Sequence, residues 1–276
     1  YPLRRQRQMC IRDSPRSIPC WEDPIVTGVL PVAFEDATKV VQSFLHSGKE
    51  YVCLMLLHDE ISDEQLSTVL HEFTGEIYQK PPLRASVKRE SRKRTIYYLD
   101  FLERDGNRVL FRVGCQAGTY IRKLCSDIGE VLGIGAHMQE LRRTRSGPFT
   151  ESSGLHTLHE LVDAHARLVE GDETPIRNIV RPVEEALEYI PKIHVRDSAV
   201  DSLCHGASLA IPGIVDVEDP FPKDTIVAIM TLKGEAVALA KCTMSSESVI
   251  QQEKGIAANM MRVLMPRGTY PKMWRD

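Results

Sequence analysis

No apolar run in this chain approaches the ~20 residues that a membrane-spanning helix needs. The longest, Ile25–Phe34 and Tyr51–Leu57, are short and interrupted. The N-terminus carries basic residues without the apolar stretch of a secretory signal. The seven cysteines include no CxxC pair and no Cys/His cluster at zinc-ligand spacing. An odd number without such spacing argues against a disulfide framework, so a reducing, intracellular setting is expected. Internal repeats and low-complexity tracts are absent, and so is a strong net charge. Lys plus Arg is 35 and Asp plus Glu is 38, leaving −3. Taken whole, that figure argues against a nucleic-acid binder.

What is present reads as an ordinary globular protein. Of 276 residues, 42% are hydrophobic and 26% charged, which excludes wholesale disorder and collagen-like structure. The length fits two domains or one large one. The charge is unevenly placed. From Arg84 to Arg145 there are 14 Lys/Arg against 7 Asp/Glu, a net of +7, and from Glu151 to Pro220 there are 5 against 14, a net of −9. A basic lobe is therefore masked in the total, and the run Arg84, Lys88, Arg89, Arg92, Lys93, Arg94 is dense enough to track a phosphate backbone.

Residues 1–21 show neither helical nor strand periodicity, with five Arg and three Pro. They read either as a basic RNA-binding tail or as a foreign segment. The foreign reading is favoured, because Met9–Ser14 (MCIRDS) resembles the translation of a transposon adaptor used in sequencing libraries. The segment is then set aside from fold reasoning.

From Glu22 to Tyr189 the pattern mixes strands and helices. Helices are predicted over Glu35–His46, Ser62–Phe73 (capped by Ser62), Tyr120–Leu132 and Leu158–Glu170. Strands are predicted over Glu50–Leu57, Arg94–Leu102 and Arg108–Cys115, the last two joined by a turn at Glu103–Asn107. The interleaved hairpins point to a mixed or antiparallel sheet. Pro191 opens a different texture. Ile193–Val195 is a short strand and Ser198–Leu203 a short helix ending near Gly206. Thr225–Leu232 and Glu235–Cys242 form a hairpin about Lys233-Gly234, and Met261–Met265 is a last strand. Short strands with Gly/Pro punctuation suggest a small β-barrel. The expected division is 1–21 foreign, 22–190 catalytic and 191–276 RNA-binding.

Five blocks then occur in order: EDPIVTGVLPV (Glu22–Val32), GKEYV (Gly48–Val52), QKPPLRASVKRESRKRTIYY (Gln79–Tyr98), CQAGTYIRKLCSDIG (Cys115–Gly129) and GAHMQELRRTRSGPF (Gly135–Phe149). Together they resemble the TruB-type pseudouridine synthases, and within them the archaeal dyskerin branch, whose members are catalytic subunits of box H/ACA RNA-guided particles. The runs PKIHVRDSAVDSLCHGASLAIPG, LKGEAVALA and RVLMPRGTYPKMW resemble that branch's PUA domain. The resemblance implies an α+β fold: a mixed sheet with flanking helices, incomplete at its N-terminal side, plus a small C-terminal β-barrel. It also implies partners: guide RNA with rRNA or tRNA substrate, small Nop-type and Gar-type proteins, and an L7-type kink-turn protein. An archaeal cytoplasmic enzyme working away from membranes is expected.

Converting uridine to pseudouridine breaks the N1–C1′ bond, turns the uracil and rejoins it through C5. The base must leave its stack and enter a pocket. A carboxylate is needed as nucleophile or base, an aromatic ring to hold the detached uracil, and a cation to keep the carboxylate ionised. No metal or organic cofactor is required. The resemblance places the catalytic carboxylate at Asp23, in the pattern D-P-x-V-T-G, the stacking ring at Tyr51 and the cation at Arg122. Tyr120, Lys88 and Leu141 match lesser pocket positions. Arg84, Arg89, Arg92, Lys93, Arg94, Arg142, Arg143 and Arg145 read as RNA-backbone contacts, which position RNA without reading its sequence. Gly206 and Arg267 mark turns of the PUA surface that RNA can approach.

One departure stands out. Cys20-Trp21-Glu22 occupies the place of the family's Gly-Thr-Leu before Asp-Pro, and nothing earlier resembles the family. Glu22 adds a like charge beside Asp23, which raises a carboxylate pKa. The chain as written is therefore expected to be inactive or poorly folded, and a non-catalytic RNA-binding scaffold is the alternative reading.

Overall fold

The computed structural model describes residues 26–41, 44, 47–80, 90–218 and 220–272. They fall into two compact units. The first holds the described residues through Val32 and those from Phe44 to Leu155; the second holds Ala33 to Val41 and those from His156 on.

The first unit is built on a seven-stranded mixed sheet. Its strands are β1 (Val26–Gly28), β2 (Lys49–Leu57), β3 (Gly75–Gln79), β4 (Arg92–Asp105), β5 (Arg108–Cys115), β6 (Ala136–Ser146) and β7 (Phe149–Thr150). They lie in the order β1-β6-β2-β5-β4-β3, with β7 paired to β6. Only β1 and β6 run parallel; the other pairs are antiparallel. The KEYVCLMLL sequence of β2 explains its central place. Lys49, Tyr51, Cys53, Met55 and Leu57 bury on one face, and the alternate residues are half-buried on the other, as a period of two requires.

Two helices cover the buried face. In α1 (Asp63–Glu72), the Ser62 hydroxyl accepts the Gln65 amide at 3.3 Å, and Leu66 and Leu70 bury. In α2 (Ile121–Val131), Ile121, Leu124, Cys125 and Ile128 bury at the i, i+3, i+4, i+7 spacing of one helical stripe. These side chains join Phe111, Val109, Val113 and Ile96 of the sheet in a single core.

The predicted helices at Ser62, Tyr120 and Leu158 are present with near-identical bounds. Three expectations change. Glu35–Val40 is a 3₁₀ helix, with Val41 and Phe44 helical beyond it; residues 42, 43, 45 and 46 of the predicted helix lie outside the described residues. β4 and β5 meet in a tighter turn, at Gly106-Asn107 alone. The last strand starts at Ile256, earlier than Met261. The strands β3 and β6 carry too many polar residues to show in the hydrophobic pattern.

In the second unit α3 (Leu158–Val169) starts with a capping box between Thr157 and Glu160, followed by α4 (Thr174–Ile179). A six-stranded sheet follows: β8 (Lys192–Val195), β9 (Leu209–Ala210), β10 (Ile214–Val217), β11 (Ile226–Thr231), β12 (Ala236–Cys242) and β13 (Ile256–Val263), in the order β10-β8-β11-β12-β13-β9. Its two end strands are joined through the 3₁₀ turn Ile211–Gly213, so the sheet curls upon a core of Ile193, Val195, Val227, Ile229 and Val237, with Val200 and Leu203 of α5 (Asp197–Cys204). The helix α6 (Ser246–Gln251) precedes β13. Among the described residues, no helix is long and apolar enough to cross a membrane.

Candidate active site

At one end of the first unit's sheet the helix-covered face changes character. Four buried polar residues lie there: Lys49, Gln79, Arg143 and Ser146. Lys49 opposes both Cys115 and Ser146, Tyr51 opposes Arg143, and Gln79 ends β3 opposite Arg92. A five-residue loop leads from the end of β5 to the start of α2. Buried polar groups are costly unless satisfied, and Lys49, Gln79 and Arg143 each have partners. Lys49 Nζ donates to the Phe44 carbonyl at 3.2 Å. The Gln79 carboxamide accepts the Tyr120 amide at 2.9 Å and donates to the Tyr120 carbonyl at 3.2 Å. That pair takes the place of a side-chain cap on α2, which Tyr120 does not supply.

The candidate residues distribute around this end. Asp23 lies outside the described residues, as do Lys88, Arg84 and Arg89. Three residues after Asp23, β1 begins. It runs parallel to β6 with Val26 opposite Leu141 and Gly28 opposite Arg143. The Val29 amide donates to the Arg143 carbonyl at 2.8 Å. Gly28 has φ +93°, and a Cβ there would lie 2.2 Å from the Arg143 carbonyl oxygen; only glycine fits. Across β6 sits Tyr51, 9% exposed and part of the core. Leu141 is buried in the same core, opposite Cys53. Arg122 stands exposed in the first turn of α2, one residue after the core residue Ile121. A cation there shares its neighbourhood with the helix N-terminus, and both favour a nearby anion.

The arginine cluster of β6 does not behave as one surface. Arg142 is exposed and pairs with Glu151 at 2.5 Å. Arg143, expected as an RNA-backbone contact, is 3% exposed, and its Nε donates to the Val29 carbonyl at 2.6 Å. Arg145 is half-buried, and its guanidinium donates to the Tyr98 hydroxyl at 3.3 Å. Two of the other basic candidates are also engaged. Lys93 pairs with Glu76 at 2.7 Å, Arg94 donates to the Gly118 carbonyl at 3.1 Å and so braces the loop before α2, and Arg92 is half-buried.

On the opposite face, Glu50 gathers a polar cluster that the sequence reading missed. Its carboxylate accepts from Thr144 Oγ1 at 2.6 Å and from the Tyr98 hydroxyl. Arg112 lies over the Tyr98 ring at 5.9 Å and pairs with Asp100 at 2.7 Å. Burial alone would push the Glu50 carboxyl up. The hydrogen bonds from Thr144 and Tyr98, with the charges of Arg145 and Arg112, outweigh it and hold the group below the usual carboxylate range. Burial, and then the bond to Glu50, raise Tyr98. A signal existed: Glu50 is the one acidic residue in the apolar strand β2.

In the second unit, Gly206 closes α5 at φ +90°, and Arg267 stands exposed beside Gly268 at φ +80°. Each therefore lies in a tight, accessible turn.

With this geometry in place, family models match in three adjoining segments: the TruB family pseudouridylate synthase N-terminal domain over residues 23–121, the tRNA pseudouridylate synthase B C-terminal domain over 122–188, and the PUA domain over 191–264. A probable tRNA pseudouridine synthase B of Methanopyrus kandleri is 56% identical over 253 residues, covering 91% of this chain and 75% of the relative. The chain belongs to the TruB family of pseudouridine synthases. A second probable tRNA pseudouridine synthase B, of Methanosarcina barkeri, is 54% identical over 91% of this chain and 75% of its own length. Among solved structures, a Cbf5-Nop10-Gar1 complex contains a chain 52% identical with a TM-score of 0.87, covering 91% of this chain and 77% of that one. An H/ACA ribonucleoprotein bound to a substrate RNA containing 2′-deoxyuridine contains one at 46% identity and TM-score 0.89, over 99% and 83%. The expected α+β fold with a TruB catalytic part and a C-terminal PUA domain is thereby established, and the chain is an RNA isomerase by family.

Proposed function

We propose that this chain carries the machinery that isomerises chosen uridines of RNA to pseudouridine, with residues 22–190 as catalytic domain and 191–276 as RNA-binding domain, and that the Cys20-Trp21-Glu22 departure ahead of Asp23 holds its activity low. Asp23 is the catalytic carboxylate, acting on a uridine flipped out of its stack. The observation that carries this reading is the row Gly28–Arg143–Tyr51 across three adjacent strands. It holds the strand that follows Asp23 one strand away from the ring that would hold uracil. Leu141 and Tyr120 form apolar walls beside it, and Arg122 at the start of α2 keeps the carboxylate ionised. A base leaving its stack costs a few kcal/mol, and the buried Tyr51 ring offers stacking to offset part of that cost.

The substrates are rRNA presented by a box H/ACA guide and, acting directly, tRNA. One solved relative sits with Nop10 and Gar1, another with Nop10, and a third in an H/ACA ribonucleoprotein with substrate RNA. Small proteins of these types, together with an L7-type kink-turn protein, are the partners proposed for this chain in an archaeal cytoplasm. Guide pairing supplies the sequence specificity, so the protein reads shape and charge, as other RNA-guided enzymes do. Exposed basic residues such as Arg142, and the PUA turns at Gly206 and Arg267, contact the backbone.

Asp23→Asn tests the proposal. Pseudouridine formation on guided RNA should disappear while RNA binding stays. Undiminished activity would overturn the role of Asp23, and a chain inactive before replacement but competent in RNA binding leaves the scaffold reading.

A further inference from the structure

We propose that Arg143 is a positioning residue for the isomerisation: it fixes the strand that follows Asp23, and an irregularity in β6 at Thr144 delivers it there. This rests on the reading of Asp23 and Tyr51 given above.

Side chains two apart on a regular strand share a face, so Arg143 and Arg145 would point together. They do not. Tyr51 opposes Arg143 and its neighbour Glu50 opposes Arg145, leaving Thr144 as the extra residue of a bulge. The bulge sends Arg143 inward beside Tyr51 and Arg145 outward to Tyr98. Glu50 locks this arrangement, because its carboxylate holds the Thr144 hydroxyl and the Tyr98 hydroxyl, and Arg145 holds Tyr98 in turn. Bulges re-aim side chains beside functional sites.

What Arg143 does once inside is specific. Its carbonyl accepts the Val29 amide at 2.8 Å, and its own Nε donates to the Val29 carbonyl at 2.6 Å. Gly28 lets the two backbones approach. One residue thus binds both main-chain groups of Val29. β1 is three residues long, and among the described residues β6 is its one strand neighbour. Few bonds hold it, so the Arg143 tie is a large share of them. A guanidinium suits the task, since Nε can serve one carbonyl while the fork keeps further donors. At 3% exposure the side chain is removed from the surface on which RNA phosphates would lie.

The test uses the full chain with Arg143→Gln and Arg143→Lys, and Asp23→Asn as reference. Three quantities are measured: single-turnover pseudouridine formation at saturating RNA, RNA affinity, and amide exchange over residues 26–29 and 51–57. For Arg143→Gln the rate should fall at least 30-fold with affinity within twofold. The Val29 amide should exchange at least tenfold faster, with β2 unchanged. Arg143→Lys should keep the fold and restore part of the rate. A tenfold loss of affinity with the saturated rate and Val29 exchange both unchanged would make Arg143 an RNA contact and overturn the proposal. Faster exchange across β2 as well would make it a general fold residue and also overturn it. If Asp23→Asn stays active, or the unaltered chain makes no pseudouridine, the reading of Asp23 fails separately and the exchange comparison alone decides whether Arg143 positions β1.

Discussion

The two faces of the first unit's sheet are held by different physics. The helix-covered face is apolar over most of its area, with Cys53, Met55, Val109, Phe111, Leu124 and Ile128 fully buried. The open face is held by charge and hydrogen bonding among Glu50, Tyr98, Thr144, Arg145, Arg112 and Asp100. Burial of apolar area carries no titrating charge and is insensitive to pH, whereas a half-solvated polar cluster responds to pH and to charge screening by salt. The candidate site sits where the two regimes meet, at the end of the sheet where polar side chains enter the covered face. That difference teaches where scaffold and candidate site separate: the apolar area supplies the scaffold, and the polar end aligns the residues proposed to act.

The largest test of this contrast is Phe111→Ala. Its ring is fully buried on the covered face, and truncation should cost about 3–5 kcal/mol, read as a shifted midpoint in denaturant unfolding with little dependence on pH. A cost under ~1 kcal/mol would show that the helices do not carry the unit. Next comes Gly114→Ala, whose new Cβ would lie 2.3 Å from the Tyr98 ring. Forcing that ring aside should cost roughly 1–3 kcal/mol, and the penalty should shrink in a Tyr98→Ala background; simple additivity of the two would break the assignment.

Glu50→Gln should give a smaller effect with a distinctive pH profile. The folded carboxyl titrates below its usual range. Its stabilisation is therefore present above the unfolded value of ~4.3 and is lost as pH falls through the folded value. The melting temperatures of the two proteins should differ by a constant amount from pH 6 to 8 and converge below about pH 4.3. Tyr98 is raised, so its contribution is full below ~10 and is lost as pH climbs through the folded value. A gap that persists unchanged to pH 3 would remove Glu50 from the account. The smallest effect belongs to Arg142→Ala. Its side chain is 59% exposed in its pair with Glu151, so stability should move by less than ~0.5 kcal/mol. The slope of log affinity for RNA against log salt should drop by about 0.9; an unchanged slope would take Arg142 off the RNA surface.

Much of this was legible in the sequence. The Ser62 cap, the stripe of α2 and the alternation of β2 each follow from local rules, and the structure reproduces them. The motif blocks led to the family, which the comparisons show; the roles they imply for Tyr51, Leu141 and Arg122 are the proposal made above. What escaped was everything that depends on pairing between distant strands. A run of Arg142, Arg143, Thr144 and Arg145 looks like one basic surface until a bulge assigns its members to different faces. Gln79 resembles an ordinary strand-end residue until it is seen gripping the main chain at Tyr120, 41 residues on. Local pattern carries no record of such partners.

The tie between Arg143 and Val29 spans 114 residues of chain. During synthesis the strand beside the candidate carboxylate therefore leaves the ribosome long before its partner exists. At about 5–20 residues per second, β1 waits on the order of ten seconds with its main-chain groups unpaired, while hairpins such as β4–β5 can close as soon as they emerge. The strand that follows the proposed catalytic carboxylate is made early and docked late, so a slowed or interrupted translation would be felt first at the tie between β1 and β6.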